Sequence, residues 1–203
     1  MDKPVYSAAS ERNSGPISRV LKKELRNCVD VLEIGSGTGQ HAVFMASKIP
    51  ALRWHTSDLQ ETHAWIRSLL ESSQLENVLP PLLLDMRAPD YDGKSFDAVY
   101  SSNTMHIMSE ESVGNMIPFV ASVLKPGGCF CYYGPFKRDG KFTTESNEAF
   151  DQSLRSRDAD MGLRDLETID ATAAANGLQQ QRIYAMPANN LLVVWKRGAA
   201  PAH

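Results

Sequence analysis

Long apolar runs are missing from this sequence. No segment reaches the roughly 18 consecutive apolar residues that span a bilayer, and Met1-Asp2-Lys3-Pro4-Val5-Tyr6 lacks the basic start and apolar run of a secretory leader. The chain is therefore expected to be cytoplasmic and to have no membrane partner. Cysteine is scarce as well. The three present, Cys28, Cys129 and Cys131, fit neither zinc-site spacing nor a disulfide framework, so no metal is expected. Cys129 and Cys131, two apart in an expected strand, share one face as small apolar groups. An excess of either charge is also lacking: 21 Lys plus Arg against 24 Asp plus Glu give a net charge of -3. So balanced a surface does not suggest a groove that neutralises phosphates, and no nucleic-acid partner is expected. Interior Pro/Gly/Ser-rich linkers, repeats and low-complexity segments are absent too, which points to one domain over 1–203. Within it, 1–27 reads as an N-terminal arm and helix, 137–178 as a helical cover and 198–203 as a mobile tail. Nothing in the sequence addresses oligomeric state.

What is present is an alternation of short apolar runs with helix-length amphipathic patterns, and 42% of residues are apolar. This is how a parallel sheet covered by helices on both faces is written. Strands are expected at 29–34, 51–57, 78–84, 96–101 and 129–133. An opening helix is expected from Ser14-Gly15-Pro16 to about residue 25, with Ser14 as its cap. Strand-like runs at 181–186 and 191–195 are joined only by Pro187-Ala188-Asn189-Asn190, too short for a parallel crossover. The expected fold is therefore α/β: a Rossmann-like three-layer sandwich around a mostly parallel sheet with a C-terminal antiparallel hairpin.

The most informative stretch is Glu33-Ile34-Gly35-Ser36-Gly37-Thr38-Gly39, a strand running into three alternate glycines and then a helix. Glycines there allow a sharp turn, close backbone approach to a ligand and free N–H groups at a helix N-terminus. Asp58 follows the second strand about 20 residues after the turn, where a carboxylate can accept from both ribose hydroxyls. Asp85 closes the third strand in the same way. A dinucleotide fingerprint favours Gly or Ala where Gln40 stands, and Glu33 beside the turn would repel a pyrophosphate while attracting a sulfonium. A nicotinamide cofactor therefore ranks below S-adenosylmethionine.

Through these residues, together with Phe96-Asp97-Ala98-Val99 and Lys125-Pro126-Gly127-Gly128, the chain resembles the class I S-adenosylmethionine-dependent methyltransferases over about 28–136. Those enzymes have a seven-stranded sheet whose last two strands form a reversed hairpin. Ala8-Ala9-Ser10-Glu11-Arg12-Asn13 and Met186-Pro187-Ala188-Asn189-Asn190-Leu191 extend the likeness to a small methyltransferase-like subfamily that carries no established acceptor. The resemblance implies Gly35, Gly37 and Gly39 against the methionine and ribose portion, Asp58 on the ribose hydroxyls, Asp85 at the adenine amine and Asn103 near the methionine end. Glu33 joins this cofactor set, with S-adenosylhomocysteine as the product.

Arg12 and Asn13, in a polar arm, are expected to close over the donor, with a simple helix-leading turn as the rival reading. His106 is the leading candidate base for a small-molecule acceptor, because its ordinary pKa lies near neutrality; Tyr133 is a weaker one. Around α-helical residues 147–158, Phe150 and Leu154 are expected to face the core and Asp151 and Arg155 to form an exposed pair. In the alternative, this segment is an acceptor lid in which Arg157 or Arg164 pairs with an anionic substrate group. A catalytically idle S-adenosylmethionine-binding or protein-interaction domain remains the competing function.

Overall fold

A computed structural model describes residues 6–198. Residues 1–5 of the expected arm and 199–203 of the expected tail lie outside this range. Helix α1 (Ala8–Glu24) opens the fold, followed by β1 (Asp30–Ile34), α2 (Gln40–Lys48), β2 (Arg53–Asp58), a short 3-10 turn, α3 (His63–Ser73) and β3 (Val78–Leu83). Then come β4 (Phe96–Ser102), α4 (Glu110–Val123), β5 (Leu124–Gly134), a two-residue ladder of β6 (Lys137–Arg138) with β7 (Lys141–Phe142), α5 (Glu145–Arg157), α6 (Leu166–Ala175), β8 (Leu178–Met186) and β9 (Asn190–Arg197). The sheet order is β3-β2-β1-β4-β5-β9-β8. β1 to β5 pair in parallel, and β9 runs antiparallel to both β5 and β8, so the expected mixed sheet and its reversed hairpin are present.

Alternation along the strands divides the core in two. Val31, Ala98 and Cys131 pack on one face with Ile17 and Leu21 of α1 and Met45 of α2. Their neighbours Leu32, Val99 and Tyr132 pack on the other with Met116 of α4 and Ile169 of α6. All five residues of β1 are buried, as befits a strand covered on both faces. Cys129 and Cys131 do share a face and pack there as free thiols, alongside Cys28.

Several expected boundaries differ. The first helix begins at Ala8, capped by Ser7, whose side chain accepts from the Ser10 N–H; Ser14, Gly15 and Pro16 lie inside it. Ser14 turns its hydroxyl back onto the Ser10 carbonyl instead of capping. Glu11, Arg12 and Asn13 thus ride on the first turns of a helix, not on an arm. β5 starts earlier than expected because Lys125-Pro126-Gly127-Gly128 already continues the strand, with a register shift against β4. The helical cover is preceded by the β6–β7 ladder. No helix among the described residues is long and apolar enough to cross a membrane.

Candidate active site

Open α/β sheets bind ligands beyond the carboxyl ends of their strands, where the strand order reverses. Here that point lies between β1 and β4, and a cavity of about 1210 Å³ opens over it. The volume exceeds the roughly 300–1,000 Å³ usual for one small ligand, leaving room for two molecules side by side. Four loops supply its floor, α1 covers one side, and the start of α5 with the β8–β9 turn closes the far end.

The three glycines of the first loop have separate jobs. All have positive φ, which excludes most side chains without strain. A Cβ on Gly35 would lie 2.5 Å from Thr104 Cγ2, so this residue lets the loop after β4 approach the loop after β1. A Cβ on Gly37 would meet no protein atom within 4 Å; it would project into the cavity that Gly37 lines. Gly39 caps α2 and packs against Ile66 and Leu69 of α3, away from the cavity wall. Of the three, Gly35 and Gly37 line the cavity, while Gly39 supports it.

Asp58 ends β2 with its carboxylate on the cavity. One oxygen accepts the Gly37 N–H at 2.5 Å and the other the Leu59 N–H at 2.7 Å, which fixes the group's orientation. Partial burial raises its pKa, and these two backbone bonds counteract that rise. Each oxygen keeps a further lone pair for a ligand donor. Asp85 also lines the cavity, but it is clamped by Arg87 through both oxygens, which lowers its pKa. Leu84 and Met86 flank it as buried apolar lining.

Glu33 is not part of the cavity wall. It is 2% exposed, and its Oε2 accepts from Ser36 Oγ and from Trp54 Nε1, each at 3.0 Å. Burial raises its pKa to about 7, so it does not provide the fixed negative edge that its place beside the glycines suggested. Tyr133 is likewise removed. On β5 it points to the α1–α2 face, and its buried hydroxyl has no hydrogen-bond partner among the described residues. A residue one step along a strand from Tyr132 faces the opposite way, and neither ring lines the cavity.

Arg12, Asn13, Asn103 and His106 all line the cavity. Arg12 and Asn13 are held there by a latch: the Gln40 side chain accepts from the Ser7 N–H at 2.7 Å and donates to the Ser7 carbonyl at 3.3 Å, tying α1 to α2. Asn103 has a φ of 58° and its N–H donates to the Tyr133 carbonyl. His106 is buried, stands edge-on to Phe150 at 5.2 Å, and leaves Nδ1 without a partner. Burial, reinforced by the Arg164 charge, lowers its pKa to about 4, so the ring is neutral at physiological pH.

Residues 147–158 depart from expectation in a way that shapes the site. Phe150 faces the cavity and is 39% exposed, whereas Asp151 is buried, accepting the Leu163 N–H at 2.7 Å and pairing with Arg155. Leu154 does face the core. Arg164 is buried, and its guanidinium donates to the carbonyls of Met105, Met108 and Asp160. It braces the loop that carries His106 and is not available to an anionic substrate; Arg157 is exposed and lies outside the cavity lining. Sequence reasoning also missed His41 and Asn190 as lining residues, whereas Asn147 belongs to the segment whose alternative reading was an acceptor lid. Of the two missed, only Asn190 had a readable signal, in the hairpin turn.

Residues 4–197 match the family described as "Protein of unknown function (DUF938)", and the chain belongs to that family. Among solved structures, it is similar to an O-methyltransferase family protein from Burkholderia thailandensis at 18% identity and a TM-score of 0.80, covering 95% of this chain and 58% of that one. It is also similar to an O-methyltransferase family 2 protein from Planctomyces limnophilus in complex with apigenin at 16% identity and a TM-score of 0.79, over 91% and 57% of the two chains. A third match, PigF with SAH, has 16% identity and a TM-score of 0.79, over 92% and 56%. The chain thus has the methyltransferase fold while spanning little more than half the length of these proteins.

Proposed function

We propose that the protein transfers a methyl group from S-adenosylmethionine to a small molecule. The observation that carries this reading is the Gly37–Asp58 pair at the switch point: a glycine whose missing side chain leaves the cavity open, beside a carboxylate held by two backbone N–H groups. The likeness in fold to methyltransferase structures supports it. With Glu33 sequestered, the preference over a nicotinamide no longer rests on that charge.

S-adenosylmethionine, when bound, supplies a methyl carbon already activated by positive sulfur. Asp58 would accept from the ribose hydroxyls, with charge-assisted bonds contributing about 1.5–3 kcal/mol each. Leu84 and Met86 offer apolar surface to a purine, and Asp85 would reach its amine only by sharing its carboxylate with Arg87. Gly35, Gly37 and Asn103 would line the methionine portion, supported from beneath by Gly39. Arg12, which has no ion pair among the described residues, would hold the carboxylate, with Asn13 beside it. Positioning and exclusion of water can provide much of the rate when the methyl carbon is so activated. His106 would orient the acceptor and receive its proton late in the step; a pKa of about 4 makes it a weak base but an unprotonated one.

Titration calorimetry with S-adenosylhomocysteine and with NAD tests the donor. Binding of the former, reduced about tenfold or more in Asp58→Asn, is expected on the loss of a charged acceptor; binding of NAD alone would refute the reading. Turnover with labelled donor in a metabolite mixture separates an enzyme from an idle binding domain. His106→Ala should then lower turnover while donor binding stays intact.

A further inference from the structure

Beyond the donor, the far end of the cavity has a chemical character of its own. Its apolar wall comes from Ile107, Met108, Phe150 and Met161. Ile107 is 49% exposed, so it and Phe150 leave large apolar surface facing the opening, as residues awaiting an apolar contact do. Set into this wall are two side chains with open acceptor capacity, Asn147 and His106. Asn147 is buried, and its Nδ2 donates to Thr143 Oγ1 at 2.8 Å and to the Asn189 carbonyl at 3.5 Å. A carbonyl can only accept, so the Asn189 contact matches this amide orientation, in which Oδ1 has no protein donor among the described residues and is an open acceptor. Asn147 and Phe150 lie three apart on α5, on the same face, and Phe150 touches His106. Nδ1 of that ring is closed off from the cavity and has no partner among the described residues, which leaves Nε2 as the ring nitrogen able to accept from a ligand.

Among the described residues around this end, away from Arg12, no cation is left free to complement these groups. Arg155 is paired with Asp151, and Arg164 is turned onto backbone carbonyls. Asp158 and Asp160, which also line the opening, have no ion pair among the described residues. An anion would meet carboxylates and an amide oxygen; an ammonium would have to shed its hydration against the apolar wall and has no lone pair with which to attack.

Resting on the methyl-transfer reading, we propose that this end of the cavity selects an uncharged acceptor with an apolar body and a hydroxyl donor, and rejects carboxylates and phosphates. The hydroxyl donates its hydrogen bond to His106 or Asn147 while its oxygen lone pair faces the donor. In the step, the acceptor oxygen bonds to the methyl carbon as the carbon–sulfur bond breaks with its electron pair staying on sulfur. The hydroxyl proton passes to the neutral imidazole of His106 and then to water.

Three probes on one scaffold test this by binding alone: 2-naphthol, 2-naphthoate and 2-naphthylmethylammonium, titrated into the full chain with and without S-adenosylhomocysteine and followed by ligand-observed NMR. 2-Naphthol is expected to bind about tenfold or more tighter than the other two, the penalty for an unpaired or repelled polar group. Phe150→Ala, a change at a part-exposed ring, should weaken 2-naphthol about fivefold or more. Equal binding of 2-naphthoate, tighter binding of the ammonium, no binding of any probe, or indifference to Phe150→Ala would overturn the proposal. Naphthol selectivity without any binding of S-adenosylhomocysteine would keep the site's chemistry and sink the methyl-transfer reading instead.

Discussion

Replacing Gly35 and Gly37 separately by alanine should produce two different injuries from one kind of change. Both residues have positive φ, 72° and 56°, where an L side chain costs about 1–2 kcal/mol of backbone energy. At Gly35 the new methyl would also arrive 2.5 Å from Thr104 Cγ2, a clash that adds about 1–3 kcal/mol of overpacking. Gly35→Ala should therefore lose about 2–5 kcal/mol in urea unfolding, or roughly 2–4 °C of Tm for each kcal/mol in a chain of this size. Gly37→Ala meets nothing within 4 Å and should lose only the backbone contribution, about 1–2 kcal/mol, but its methyl enters the cavity and should weaken S-adenosylhomocysteine in calorimetry. Thr104→Ser supplies the control. It deletes Cγ2 yet keeps the hydroxyl that meets Ser101 Oγ at 2.7 Å, so in the double variant it should restore about 1–3 kcal/mol to Gly35→Ala. Equal destabilisation by the two alanines, or no coupling to Thr104→Ser, would show that Gly35 is not where the two loops meet.

Glu33→Gln should change the pH dependence of stability. Burial keeps Glu33 protonated in the fold up to about pH 7, whereas the unfolded chain releases that proton near the ordinary value of 4.5. Stability should therefore fall as pH rises from about 4.5 to 7 and then level, a loss of about 3 kcal/mol that the glutamine variant lacks in urea titrations across that range. Ala188→Gly should stabilise by about 0.5–1.5 kcal/mol, because Ala188 and Asn189 both have positive φ in the β8–β9 turn and only the first bears a side chain poorly suited to it; an unchanged urea midpoint would count against strain there. Arg164→Met leaves three carbonyl oxygens without their donor and should cost about 3 kcal/mol or more, with a shift of the His106 resonances in NMR; a neutral outcome would mean the loop stands without this brace.

The layout of the sheet was legible because strand length and connection length are local quantities. Four residues between two apolar runs compel a hairpin whatever surrounds them. The glycine turn and Asp58 were legible for the same reason, since the order strand, turn, helix and the spacing to the next strand end lie within about thirty residues. What eluded the sequence depends on distant partners. Asp151 reads as a surface acid until Leu163, twelve residues on, brings it an N–H, and Phe150 then takes the side that faces the cavity. Glu33 reads as a binding carboxylate until Trp54 and Ser36 claim one of its oxygens. Arg164, so suited to an anion, is instead consumed by carbonyls more than fifty residues earlier. The first helix extended past its apparent cap because Ser7 upstream had a partner in Gln40 that no local pattern announces.

β9 comes after β8 in the chain but lies between β5 and β8 in the sheet. A nascent chain that has emerged only as far as Met186 carries β8 with no neighbour to pair with and β5 with an open edge. Placing β9 forms two ladders at once, and the turn that leads into it rests against α5 through Asn189, which meets Ser146 and Asn147. The cavity's far wall and the closure of the sheet thus depend on one strand, so shortening it should abolish ligand recognition and solubility together.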